Sequence, residues 1–203
     1  MDDRLLKIDE KKKIRIINSA MEEFSKNTYE QASTNKIVEK AGISKGSLFN
    51  YFKSKQMLYE YLKIFSVREI ANTIVENVNW DEPDLLKRVR EITLIKLDIF
   101  RKYPYLIGFT KRINIYKSIE ELKVIYEKYV PNLYGKVYSK NIDFSLFRED
   151  IEIGSAMNIL IWTFEKMGET YFNRISVGEE IDVDEMSKDV DKYIKALRKG
   201  FYK

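Results

Sequence analysis

Apolar positions along the chain recur every three or four residues, and an alternation of period two is sustained nowhere, so the pattern predicts helices throughout. Ile14, Ile17, Met21 and Phe24 fall on one helical face after the run Lys11–Lys13, which predicts a first helix from about Glu10 to Lys26, ending near Asn27. Ser33 or Thr34 can cap a short second helix carrying Ile37, Val38 and Ala41, and Gly42 follows where a left-handed backbone ends a helix at least cost. Ser44 then caps a third helix through about Tyr51, and Ser54 opens a long one with no breaker until the Asn77–Pro83 stretch. Pro83, Pro104 and Pro131 punctuate the remainder, because proline disrupts a helix interior but fits a first turn. Helices are expected near Pro83–Lys102, Tyr105–Tyr116, Ile119–Val130, Leu133–Ser139, Ser145–Arg174 and Asp184–Lys199. The fold class is therefore all-α.

Two short helices separated by Ala41-Gly42-Ile43 match a helix-turn-helix. Ile37, Ala41, Ile43 and Leu48 are placed to close the corner from inside, with Phe24 and Phe52 as larger fillers. This predicts a three-helix helix-turn-helix domain over residues 1–53 and a second helical domain over 54–203, entered along the long helix.

Composition narrows the chemistry. The 203-residue chain has no cysteine and no histidine, which removes disulfides, thiolate nucleophiles and cysteine-ligated metals, together with the commonest general base. No metal or cofactor is implied, and an enzyme is disfavoured. Glu165 and Glu169, at i and i+4, could pair as carboxylates for an all-helical enzyme, but they suit a solvated patch or partners of Lys166 and Arg174 better. The charged start and the absence of any long apolar run predict a soluble, cytoplasmic chain with no membrane partner. The net charge of +4 is unevenly spread: Lys11 to Lys55 holds ten basic and four acidic residues, a local +6, and the rest is slightly acidic. A basic block on such a body points to a polyanion as its partner.

The stretch "SKGSLFNYFKSK", Ser44 to Lys55, puts a lysine in the first turn of two successive helices, where the helix dipole disfavours a cation. Beside a phosphate the same placement becomes favourable, since free N–H groups, the positive helix end and the lysine charge act together. In a helix-turn-helix the start of the second helix meets base edges in the major groove of double-stranded DNA. Here that start is Ser44, Lys45, Gly46 and Ser47. Gly46 costs helix stability but leaves room for DNA, Tyr51 offers a phenol to phosphate, and Lys55 can clamp the backbone.

The same residues resemble a known family. "TNKIVEKAGISKGSLFNYFKSKQMLY", Thr34 to about Leu58, looks like the DNA-binding segment of TetR-family transcriptional regulators, and with the preceding "AMEEFSKNTYEQAS" the similarity covers roughly the first quarter of the chain. Carried over by position, the resemblance implies phosphate contacts from Thr34, Ser44, Tyr51 and Lys55. Lys45, Gly46, Ser47 and Phe49 would lie nearest the bases, with Asn50 in the same helix. Two positions depart from the pattern. Phe49 stands where the family has tyrosine, leaving base stacking or thymine-methyl contact. Thr28 stands where it has glycine, so that Asn27 takes the left-handed backbone instead or the loop runs differently.

The resemblance also implies a carboxy-terminal domain that dimerises and binds a small ligand that releases the protein from a palindromic operator, making it a repressor. Dimerisation has support of its own. Ile153, Met157, Leu160, Phe164, Met167 and Tyr171 form a seam at steps of four and three, other sides of the same helix are apolar too, and Met186, Val190, Tyr193, Leu197 and Phe201 form a second stripe. Ile153, Leu160, Phe164, Met167, Tyr171, Val190, Tyr193 and Leu197 are the candidates for a homodimer interface, with intrachain core as the alternative. The middle of this domain is rich in aromatics. Phe100, Tyr103, Phe109, Tyr116, Tyr126, Tyr129, Met157 and Trp162 are candidates to line a site for a lipophilic or aromatic ligand, with Tyr105, Tyr134 and Tyr138 nearby in sequence. An architectural DNA binder without an inducer is the remaining alternative.

Overall fold

The computed structural model describes residues 8–113, 119–176, 179 and 182–203. Ten α-helices are found among them: α1 Glu10–Lys26, α2 Thr34–Ala41, α3 Lys45–Phe52, α4 Lys55–Asn77, α5 Leu85–Lys102, α6 Leu106–Arg112, α7 Ile119–Tyr129, α8 Leu133–Ser139, α9 Ile153–Ser176 and α10 Val183–Phe201. A 3-10 turn at Phe144–Leu146 precedes α9, and the sole β-pairing among the described residues is an isolated bridge between Phe147 and Tyr202. The fold is all-α. Its contacts divide it into two compact units, one of residues 1–70 with 99–125 and one of 71–98 with 126–203.

In the first unit the termini of the short helices carry the caps that the sequence offers. Ser33 Oγ accepts from the Lys36 amide at 3.4 Å, and Ser44 Oγ accepts from the Ser47 amide at 3.1 Å. α2 ends in a Schellman motif: Gly42 adopts φ 64°, its amide donates to Glu39 O at 3.2 Å, and the Ile43 amide donates to Val38 O at 3.0 Å. A left-handed residue there costs least as glycine. Ile17, Met21, Phe24, Ile37, Ala41, Leu48 and Phe52 are buried beneath the corner, while Ile14 and Ile43 are half-buried at its rim. α6 packs on α1, with Phe109 6.4 Å from Phe24 and 6.0 Å from Tyr59 between ring centroids. Asn27 is extended, at φ −125°, so the loop before α2 turns without a left-handed residue there.

In the second unit the amino terminus of α5 anchors the chain end. Asp84 caps α5 by accepting from the Leu86 and Lys87 amides at 3.0 and 3.2 Å, and it also accepts from Arg198 at 2.6 Å and the Tyr202 hydroxyl at 3.0 Å. This capture draws Tyr202 beside Phe147, where the Arg148 amide donates to Phe201 O at 2.9 Å and the Lys203 amide to Leu146 O at 3.1 Å. The helix predicted from Ser145 therefore starts at Ile153, because its first residues are paired with the chain end. Glu152 caps it through the Gly154 and Ser155 amides. Arg88 is fully buried and donates to four carbonyls, those of Trp80, Glu82, Lys136 and Lys140, which ties α5 to the end of α8.

Candidate DNA-binding interface

The predicted reading residues gather at one exposed edge of the first unit. Ser44, Lys45, Gly46 and Asn50 are exposed along α3, while Thr34, Ser47, Phe49 and Tyr51 are half-buried beside them. Ser44 is committed to capping: its hydroxyl receives the Ser47 amide and donates to Ser47 Oγ at 2.9 Å. A Cβ added to Gly46 would meet nothing nearer than Ser44 Oγ at 3.9 Å. The chain's own packing therefore gives no reason for glycine at this exposed first-turn position, and the missing side chain matters only to a body approaching from outside.

Two phenols hold this edge together. Lys12 Nζ donates to Tyr51 Oη at 3.1 Å and lies 5.3 Å from the ring centroid, an arrangement that occupies a phenol lone pair and leaves its O–H directed elsewhere. Lys55 Nζ donates to Glu30 O at 3.1 Å and sits 4.8 Å above the Tyr29 ring, so its charge is fixed over the loop between α1 and α2. Arg15 Nε donates to Ala41 O at 3.3 Å, covering a carbonyl at the end of α2. Lys12, Arg15 and Tyr29 were not singled out from the sequence, since their partners lie far off in the chain; the basic run Lys11–Lys13 was the only signal.

Not all of the basic block faces outward. Glu22, buried on α1, pairs with Lys26 at 2.7 Å and with Lys40, and both lysines lie within 6 Å of the Tyr105 ring. Burial alone would raise the Glu22 pKa, but hydrogen bonds from Lys26, Lys40 and Tyr105 hold it below the usual glutamate range. The outward positive charge of the edge thus comes from Lys11, Lys36, Lys45 and Lys53, all exposed, together with the tethered Lys12 and Lys55.

The candidate ligand residues are dispersed. Phe109 and Tyr103 are core residues of the first unit, Tyr103 donating to Glu69 at 3.3 Å, and Phe100 is half-buried. Tyr116 and the Tyr126 side chain lie outside the described residues. In the second unit Tyr129 and Met157 are half-buried, and Trp162 is 62% exposed, on the outside of its own chain. The two predicted apolar seams also separate. Leu160, Met167, Tyr171 and Val190 are buried within the single chain, and Ile153, Phe164 and Leu197 are half-buried. The apolar surface that α9 and α10 leave open is Tyr193, one of the predicted interface residues, together with Ile159 and Trp162, at 44%, 43% and 62% exposure.

An exposed second helix of a helix-turn-helix, ringed by lysines, is the head of a DNA-binding protein of the regulator class. Residues 16–62 match the family model of bacterial regulatory proteins, tetR family. Over this segment the chain carries a DNA-binding domain of the TetR-family type. The HTH-type transcriptional regulator RutR of Escherichia coli is 32% identical over 95 residues, 46% of this chain, and the match spans 43% of RutR, less than half its length. The fatty acid metabolism regulator protein of Bacillus subtilis is 22% identical over 79% of this chain and 83% of its own. Among solved structures, a TetR family regulator from Chloroflexus aurantiacus superimposes with a TM-score of 0.55 at 20% identity, covering 99% of this chain and 98% of its own. One from Marinobacter aquaeolei gives 0.56 at 16% identity over 100% and 99%. These two share the fold.

Proposed function

We propose that the protein is a ligand-responsive transcriptional repressor that binds a palindromic operator as a homodimer and leaves it when a small lipophilic or aromatic ligand occupies the second unit. The observation that carries the DNA-binding part is the open start of α3: a capped helix terminus, an exposed Lys45, and a glycine whose missing side chain serves nothing inside the chain. Phosphates meet the first-turn amides and the lysines of this edge, and base edges meet Lys45, Ser47 and the half-buried Phe49.

A single eight-residue helix covers too few base pairs for selectivity, and a two-fold pair of heads doubles the contacts on an inverted repeat. The stripe of Ile159, Trp162 and Tyr193 supports pairing of α9 and α10 with those of a second copy, since an exposed tryptophan flanked by apolar neighbours is an interface anchor. A ligand that favours a spacing of the heads unsuited to the operator draws the population off DNA by its differential affinity.

The test is duplex binding by the purified chain, followed by fluorescence anisotropy on a palindrome selected from random sequence. Affinity falls steeply with salt as counterions are released. Lys55→Ala weakens binding to all duplexes and lowers the salt slope, whereas Lys45→Ala also changes the preferred sequence. Parent-like binding by both variants would refute the reading of this edge.

A further inference from the structure

The basic residues of α1 do not share one kind of partner. Lys13 faces Glu10 at 3.9 Å and Lys26 binds Glu22 at 2.7 Å, so each of these charges is met by a carboxylate. Lys12 is met by a phenol instead, its Nζ donating to Tyr51 Oη at 3.1 Å and lying 5.3 Å from the ring centroid. The two acids nearest to it in sequence are engaged elsewhere. Asp9 caps α1 by accepting from the Lys12 amide at 3.0 Å, and Glu10 pairs with Lys13 and with Lys102. Among the described residues no carboxylate comes within ion-pair distance of the Lys12 ammonium.

The hydrogen bonding of this pair is one-sided. An ammonium only donates, and a phenol has one O–H to give. Because Tyr51 Oη accepts from Lys12, its own proton points away from the lysine; that O–H and two ammonium N–H groups remain as donors around one part-buried, positively charged spot. Among the described residues none supplies them with an acceptor. Partial withdrawal from water makes such a spot costly to leave alone, and an oxyanion accepting from both groups satisfies it.

Its place in the domain selects the oxyanion. Lys12 stands in the first turn of α1 and Tyr51 in the last turn of α3, at the opposite end from Lys45 and the first-turn amides. Eight residues of helix measure about 12 Å, so anchors at the two ends of α3 reach separate phosphates. Lys55 does not fill this end, since Glu30 O and the Tyr29 ring hold it over the loop between α1 and α2. Arg15, one turn after Lys12, donates to Ala41 O at 3.3 Å and fastens α1 to the end of α2, which keeps the start of α1 in place beside the reading helix.

We infer that Lys12 is a phosphate-binding residue of the DNA interface: together with Tyr51 Oη it seats one backbone phosphate at the end of α3, and it holds the Tyr51 phenol in position before DNA arrives. This rests on the DNA-binding reading of the α3 edge and adds α1 to the elements that touch the duplex.

The test uses the full chain, the selected palindrome and an unrelated duplex of equal length, with anisotropy read over a series of salt concentrations. Lys12→Met keeps an apolar stem against the Tyr51 ring and removes the charge. It binds both duplexes roughly tenfold more weakly and by the same factor, since a backbone contact carries no sequence information. Its slope of log affinity against log salt is shallower by about 0.9, the share of one neutralised phosphate. Lys12→Arg retains the parent slope. Tyr51→Phe removes a hydroxyl but no charge, so it binds a few-fold more weakly with the parent slope, and the two changes combined lose less than the product of the single losses. A residue that served only to position Tyr51 would weaken binding without moving the slope. An unchanged slope in Lys12→Met, or a loss confined to the palindrome, overturns the phosphate contact, and Lys55→Ala in the same series shows whether the DNA-binding reading of the edge still stands. If the parent binds no duplex, both fall.

Discussion

Gly46→Ala separates the needs of the chain from the needs of its DNA partner. Gly46 is the second residue of α3, its φ lies outside the left-handed region, and the new methyl group would find its nearest neighbour, Ser44 Oγ, at 3.9 Å. No clash or backbone strain opposes the substitution, and helix propensity favours alanine by about 0.5–1 kcal/mol at an exposed helical position. For a chain of this size that raises the melting temperature by roughly 1–4 °C. The DNA-bound state responds the other way. A methyl group where α3 meets the duplex displaces the helix from the groove, and loss of one good base contact costs about 1–3 kcal/mol, roughly fivefold to over a hundredfold in affinity. Differential scanning calorimetry and anisotropy on the selected palindrome read the two effects separately. Opposite signs are expected: a more stable protein that binds DNA less well. If Gly46→Ala binds DNA as tightly as the parent, the glycine does not mark the approach of DNA, and the docking of α3 would have to be redrawn.

Further outcomes follow from other contacts. Tyr202→Phe removes a buried hydroxyl that donates to Asp84 at 3.0 Å and should cost about 1–2 kcal/mol in chemical denaturation, less if Arg198 compensates. Glu22 has a folded-state pKa below its ordinary 4.5, so it contributes stability above that pH and loses it as pH falls through the folded value; the acid limb of a stability-against-pH curve should flatten in Glu22→Gln. Trp162→Arg places a charge in the exposed apolar stripe, and light scattering should show a shift from dimer to monomer with no loss of helix by circular dichroism. A Trp162→Arg protein that stays dimeric would locate the interface elsewhere.

The sequence by itself determined the helix-turn-helix, because its signals are local. Serine caps, the apolar spacing of α1, and a glycine at the end of α2 act within one or two turns, and α1, α2 and α3 form where those signals place them. The tertiary structure decided what depends on partners distant in the chain. The start of α9 moved to Ile153 because residues 146–148 bond to the chain end, and Tyr51 gained Lys12, 39 positions away, as its neighbour. Periodicity could not tell which apolar face of α9 is covered, since a helix apolar on several sides presents more than one seam; packing buried Leu160 and Met167 and left Ile159 and Trp162 outside.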